Sequence, residues 1–122
     1  MPAVADHAER RRFQRFNFEG AVRLYSDKAM WESNLVDISL KGVLIERPHD
    51  WPGKVGDHYR VDLRINSGVV ISMGVIAAHM MPHRIGFAWQ KIDLDSFARL
   101  KRLVELNLGD ADMLNRELSA LG

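Results

Sequence analysis

The sequence contains no cysteine and no long apolar run, and each absence excludes a class of protein. Without cysteine the chain forms no disulfide and offers no thiolate for catalysis or metal binding. No apolar stretch approaches the ~20 residues that a membrane-spanning helix needs. The first residues also lack the apolar segment of a secretory signal peptide. We therefore expect a cytoplasmic protein without membrane insertion.

Net charge is also nearly absent. Seventeen Lys and Arg against 16 Asp and Glu leave +1 over 122 residues, so the whole chain is not a polycation. The charge is uneven, however, because residues 9–15 hold four Arg and one Glu. The length and the 47% hydrophobic content are typical of one globular domain.

Common catalytic and metal-binding patterns are missing as well. The chain has no G-x-S-x-G, no P-loop and no G-x-G-x-x-G after a strand. His79 and His83 have the spacing of a helical metal site, but Pro82 lies between them in a predicted strand turn. Asp93 and Asp95 suit helix capping better than acid/base chemistry. We expect neither an enzyme nor a metal site.

Alternating hydrophobicity and short apolar or β-branched runs predict six strands in residues 17–90. The clearest is 58–65, in which every second residue from Tyr59 to Ile65 is apolar. The other five are predicted at 17–25, 31–38, 43–46, 69–79 and 85–89, with Gly74 as a bulge or a barrel bend. Six short antiparallel strands indicate a small closed barrel or a sandwich.

After the last predicted strand the apolar spacing becomes helical. Asp93 or Asp95 can cap a first helix, Gly109 can end it, and Asp110 can cap a second. We expect the first helix to cover the barrel. The second carries an apolar stripe that is compatible with packing on the barrel or with a partner surface: Leu114, Leu118 and Leu121.

The most informative stretch is Asp-Ile-Ser-Leu-Lys-Gly at 37–42, where a predicted strand enters a turn. In extended backbone the side chains of Asp37 and Ser39 point to the same side. Gly42 would allow a positive φ and a close approach of the backbone to a ligand. The simpler alternative is that Asp37 and Ser39 only cap the turn.

A basic arm at residues 10–16 precedes this stretch. Arg11 and Arg15 offer two guanidinium groups, which suit phosphates and guanine edges. A basic arm by itself is equally typical of a solvated segment or of a weak nucleic-acid contact.

Together, Arg-x-x-x-Arg at 11–15 and Asp-x-Ser-x-x-Gly at 37–42 resemble the signature of the PilZ domain, the bacterial receptor module for cyclic di-GMP. The first pattern is weak alone, since Arg60 and Arg64 also match it, but the order and spacing of the two fit the family. The resemblance runs from about Glu9 to the C-terminus. It implies a six-stranded antiparallel β-barrel with C-terminal α-helices. It also implies a receptor without catalysis. Its arm would become ordered when the ligand binds, and the protein would then present a new surface to a protein partner.

The resemblance also implies a domain division and a set of site residues. Residues 1–9 would be a flexible lead-in and 10–122 a PilZ-like domain, with the arm at 10–16, the barrel at 17–90 and the helices at 94–121. The ligand-binding residues would be Arg10, Arg11, Arg12, Arg15, Asp37, Ser39, Gly42 and His79.

Two of these residues carry further expectations from the family. His79 stands where many PilZ domains have an aromatic residue, often Trp, that packs beside a guanine. An Arg immediately before the Arg-x-x-x-Arg pattern, here Arg10, goes in the family with two stacked cyclic di-GMP molecules per chain.

Two other functions stay open at this stage. One is a nucleic-acid-binding barrel that uses the same basic arm, although nucleic acid is the less favoured partner. The other is an interaction protein that has lost ligand binding, which the presence of both motifs argues against.

Overall fold

The computed structural model describes residues 13–66 and 68–121 of the chain. Within them the strands are β1 (Phe16–Asn17), β2 (Gly20–Tyr25), β3 (Met30–Ile38), β4 (Gly42–Glu46), β5 (His58–Ile65), β6 (Val70–Met80) and β7 (Arg84–Ile92). Two helices follow, α1 (Leu94–Leu108) and α2 (Ala111–Leu121). The lead-in predicted at 1–9 lies outside the described residues.

Strands β2 to β7 form a closed antiparallel barrel. They follow the order β3-β2-β5-β6-β7-β4, and an additional pairing of β3 with β4 closes the sheet. Closure gives the backbone N–H and C=O groups of these strands partners on both sides. The six-stranded antiparallel barrel with C-terminal helices is therefore confirmed.

Strand β1 is a short additional strand. The sequence predicted it and β2 as one strand. The predicted strand at 17–25 is interrupted after Asn17 and resumes at Gly20. Before the interruption, Phe16 pairs with Ile38 and Asn17 with Asp37 of β3. This pairing lays the end of the basic arm alongside the end of β3.

The barrel core follows the predicted alternation. In β5, Val61, Leu63 and Ile65 are buried, and the residues between them are exposed or half-buried. The loop residue Trp51 is also buried and packs edge-on against Phe87. The register of β6 against β7 shifts next to Gly74, which confirms the predicted bulge.

Helix α1 begins and ends where the sequence predicts. Asp93 is its N-cap and accepts the N–H of Ser96 at 2.7 Å, and Gly109 ends it with a φ of 66°. The Ser96 hydroxyl then accepts the N–H of Ser72 at 3.1 Å, which ties α1 to β6. Leu100 and Val104 are fully buried, so α1 is part of the core.

Helix α2 packs against α1. Asp110 caps it by accepting the N–H of Asp112 at 2.8 Å. Along its apolar stripe Leu114 is buried, Leu118 is half-buried and Leu121 is exposed. The first part of the stripe therefore serves packing. Neither α1 nor α2 is long and apolar enough to cross a membrane.

Candidate ligand-binding site

The pairing of β1 with β3 brings the two sequence motifs together. Since Phe16 lies opposite Ile38 and Asn17 opposite Asp37, Arg15 reaches the end of β3. Its Nη1 donates to Asp37 Oδ1 at 2.8 Å. The Arg15 side chain is 51% exposed and that of Asp37 only 12%. The result is a charge-assisted hydrogen bond with a buried acceptor and a guanidinium that is still open to solvent.

The turn after β3 is held by the Ser39 hydroxyl. Its Oγ accepts the N–H groups of Lys41 and Gly42 at 3.1 and 3.2 Å, and the Ser39 N–H donates to the Gly42 carbonyl at 2.9 Å. Ser39 is 1% exposed. The turn-capping role weighed from the sequence is therefore present.

Trp89 of β7 fastens this turn from the other side. Its indole Nε1–H donates to the Ser39 carbonyl at 3.1 Å, and its backbone N–H donates to the Lys41 carbonyl at 3.1 Å. Two bonds from one residue hold the turn against the barrel. Sequence reasoning assigned Trp89 only to a strand.

Gly42 is needed for a reason other than the one expected. Its φ is not positive, unlike those of Gly56, Gly68 and Gly109, so the expected left-handed conformation is wrong. Gly42 is the first residue of β4, and a Cβ there would overlap the carbonyl oxygen of Phe87 in β7. Close contact between the two strands requires a residue without a side chain here.

A cavity of about 270 Å³ opens beside the turn. Four residues of the predicted site line it, namely Arg15, Ser39, Gly42 and His79. Asp37 is not part of this lining, but it accepts the hydrogen bond from Arg15, which is. The remaining predicted residues, Arg10, Arg11 and Arg12, lie outside the described part of the chain.

His79 occupies the end of β6 at the cavity rim. Its side chain is exposed, and the register against β7 shifts between Ala77 and His79. A Cβ built on Gly86 would lie 3.4 Å from the Cβ of His79, so the histidine lies close over the β7 backbone. His79 thus lines the same cavity as the turn residues Ser39 and Gly42.

Phe13 and Lys41 are among the cavity residues that were not predicted from the sequence. Phe13 comes from the arm and Lys41 from the turn, and the Lys41 Nζ lies 5.3 Å from the centroid of the Phe13 ring. Both occupy variable positions inside the two motifs. The motifs could have suggested that these residues lie near the site. They do not specify which of the variable residues line the cavity.

Another unpredicted contact joins the arm to α2. The backbone N–H of Gln14 donates to Glu117 Oε2 at 3.1 Å. Glu117 is only 4% exposed, and its Oε1 has no hydrogen-bond partner among the described residues. Glu117 follows Leu114 by three residues and so shares the buried face of α2. That spacing could have suggested that Glu117 is buried, but not that it accepts the Gln14 N–H.

Burial raises the pKa of the Glu117 carboxyl above its ordinary value of 4.5, and the Gln14 N–H opposes part of this rise. The folded protein therefore binds this proton more tightly than the unfolded chain does. The stability from this group is complete below pH 4.5 and is lost as pH rises through the raised pKa.

We expect the free energy of unfolding of the wild type to fall relative to that of Glu117→Gln as pH rises from about 4 to 7, because the amide does not ionise. Urea denaturation across this range measures the difference. Glu105→Gln, at a half-exposed carboxylate of α1, is the control. The assignment would be contradicted if the free energy of unfolding of the wild type stayed constant or rose relative to that of Glu117→Gln as pH increases.

The family model of the PilZ domain matches residues 9–106, which includes both motifs and the whole barrel. The chain belongs to the PilZ domain family. The recognition made from Arg-x-x-x-Arg and Asp-x-Ser-x-x-Gly is therefore confirmed.

Solved PilZ-type structures resemble the chain in fold. The PilZ domain of YcgR from Escherichia coli with c-di-GMP is 15% identical, with a TM-score of 0.65 over 77% of this chain and 88% of that one. The PilZ domain of CeSA from a cellulose-synthesizing bacterium is 19% identical, with a TM-score of 0.58 over 80% and 99%.

The inhibitor of motility MotI/DgrA from Bacillus subtilis is 14% identical, with a TM-score of 0.67 over 81% of this chain and 52% of that one. The present chain therefore spans about half the length of MotI. At these identities the likeness shows the fold of the PilZ barrel.

Proposed function

We propose that this PilZ domain is a receptor for cyclic di-GMP with no catalysis of its own. The observation that carries the proposal is the Arg15–Asp37 pair at 2.8 Å beside the cavity, formed by the two family motifs. Membership of the PilZ family and the YcgR domain solved with c-di-GMP support it. The cytoplasmic location expected from the sequence stays a prediction.

The Arg15–Asp37 pair offers donors and an acceptor that a guanine nucleotide can use. A guanidinium has five N–H donors, and the bond to Asp37 leaves others of Arg15 for phosphate oxygens or for the O6 and N7 atoms of guanine. The Asp37 carboxylate accepts N–H groups, as the Watson–Crick edge of guanine offers. A carboxylate beside a guanidinium therefore suits a guanine nucleotide better than it suits a ligand that has only a phosphate.

Calorimetric titration of the wild type with cyclic di-GMP tests this function. We expect saturable binding of cyclic di-GMP and none of comparable strength for GTP or single-stranded RNA. RNA binding with a steep salt dependence, together with indifference to cyclic di-GMP, would instead support the nucleic-acid-binding function.

We further propose that the chain binds about two cyclic di-GMP molecules. A stacked pair carries four phosphate charges, so the additional guanidinium of Arg10 would both neutralise charge and contact the second molecule. Arg10→Leu is expected to lower the stoichiometry towards one without abolishing binding, because Arg11, Arg15 and Asp37 remain.

The same titration gives the stoichiometry directly. Arg64→Leu is a matched control, since Arg64 is exposed on β5 and belongs to the second, unrelated Arg-x-x-x-Arg match. One ligand per wild-type chain, or an unchanged count in Arg10→Leu, would contradict the proposal.

Ligand binding is also proposed to move the arm and change the surface that a protein partner meets. The described part of the arm is held by the short β1 pairing, by the Arg15–Asp37 bond and by the Gln14–Glu117 bond. Because Arg15 and Gln14 are neighbours, a ligand that reorients Arg15 also strains the bond to α2. The change would reach the protein surface through this helix.

Hydrogen exchange with and without cyclic di-GMP measures this coupling. We expect amide protection in α2 to fall on binding, since loss of the Gln14 N–H leaves the buried Glu117 carboxylate with less compensation. Helix α1 serves as the internal control because it is anchored to β6 instead. Unchanged exchange in α2 at saturating ligand would exclude this route.

A further inference from the structure

Phe13 presents an aromatic surface to the same cavity as Arg15. The ring is half-buried and packs against the edge of the core. The Lys41 ammonium lies over it, 5.3 Å from the centroid, on a side chain that is exposed. A cation on an exposed side chain therefore lies over the Phe13 ring, and both residues line the cavity.

We propose that Phe13 is a base-stacking residue of the ligand site, and that a guanine replaces the Lys41 ammonium on its ring. This inference rests on the proposed cyclic di-GMP function. Stacking of a base on an aromatic side chain typically changes affinity roughly 5- to 150-fold. An exposed cation–π contact corresponds to only about two- to fivefold. The exchange therefore favours the ligand.

Phe13 and His79 line one cavity, from the arm and from the end of β6 respectively. Phe13 therefore adds a second aromatic ring beside the smaller imidazole ring of His79. The freed Lys41 ammonium, which lines the same cavity, becomes available for a phosphate.

The decisive variant is Phe13→Leu, which keeps an apolar side chain but removes the π-face. Phe13→Tyr keeps the ring. Phe18→Leu is the matched control, because Phe18 is also a half-buried aromatic packed on the core but is not part of the cavity lining. Thermal unfolding without ligand verifies that each variant is folded.

Calorimetry with cyclic di-GMP is expected to show at least a fivefold loss of affinity in Phe13→Leu and less than a twofold change in Phe13→Tyr and Phe18→Leu. A cyclic dinucleotide with 2-aminopurine in place of one guanine reports stacking through quenching of its fluorescence. We expect the quenching to be weaker in Phe13→Leu than in the wild type.

The possible outcomes distinguish failure of the stacking role from failure of the proposed receptor function. If the wild type binds and Phe13→Leu binds within twofold with equal quenching, the stacking role is overturned and the receptor function stands. If Phe18→Leu loses as much affinity as Phe13→Leu, the effect is general packing and the stacking role is likewise overturned. If the wild type does not bind cyclic di-GMP, the proposed function itself fails.

Discussion

Replacing Arg15 by Ala is expected to remove most cyclic di-GMP binding while the barrel remains folded. A charge-assisted hydrogen bond typically contributes ~1.5–3 kcal/mol, and Arg15 is proposed to make more than one to the ligand. The Arg15 side chain is 51% exposed, but that of Asp37 is only 12% exposed and would lose this partner, so we expect the variant to lose about 1–3 kcal/mol of stability and to stay folded.

Asp37→Asn tests the other partner of the same bond. The amide keeps the size of the buried side chain but removes the negative charge that orients Arg15 and accepts guanine N–H groups. We expect a loss of affinity comparable with that of Arg15→Ala, together with a moderate loss of stability because the site is buried.

Titration calorimetry measures both affinities, and thermal unfolding shows whether the barrel is intact. Arg23→Ala is a control for general charge, since Arg23 is exposed on β2 and is not part of the cavity lining. Binding within twofold of the wild type in both Arg15→Ala and Asp37→Asn would show that this pair is not the ligand clamp.

Gly42→Ala is expected to cause a large loss of stability. The new methyl group would overlap the carbonyl oxygen of Phe87, which is backbone and has no rotamer that avoids it. Strands β4 and β7 would have to separate where Gly42 pairs with Ala88. Overpacking of this kind typically costs ~1–3 kcal/mol, and each kcal/mol lowers the melting temperature by about 4 °C.

Gly74→Ala is the matched control for this prediction. Gly74 is also a strand glycine, but a Cβ there would meet its nearest neighbour, the Lys91 Cβ, at 3.4 Å, an ordinary van der Waals contact. We expect little change in its melting temperature. Equal stability of Gly42→Ala and the wild type would show that the two strands adjust to a side chain at this position.

Features set by neighbouring residues could be predicted from the sequence. The alternation in 58–65 placed β5 correctly, and the Asp93, Gly109 and Asp110 signals placed the helix ends. These patterns depend on side-chain direction and on backbone groups within about four residues. The family motifs added the closed barrel, which alternation alone did not distinguish from a sandwich.

The arrangement of the site depended on contacts between distant parts of the chain. The pairing of β1 with β3 placed Arg15 on Asp37, and the approach of β7 explains why residue 42 is glycine. The Lys41 ammonium over Phe13 belongs to the same group of contacts, because it joins a turn to the arm.

The bond from Gln14 to Glu117 spans 103 residues, and no local pattern predicts it. Most strands and both helices could be predicted from the sequence, since a segment's preference is set over a few residues. Which of their side chains meet could not, because strand register and helix docking depend on packing of the whole barrel.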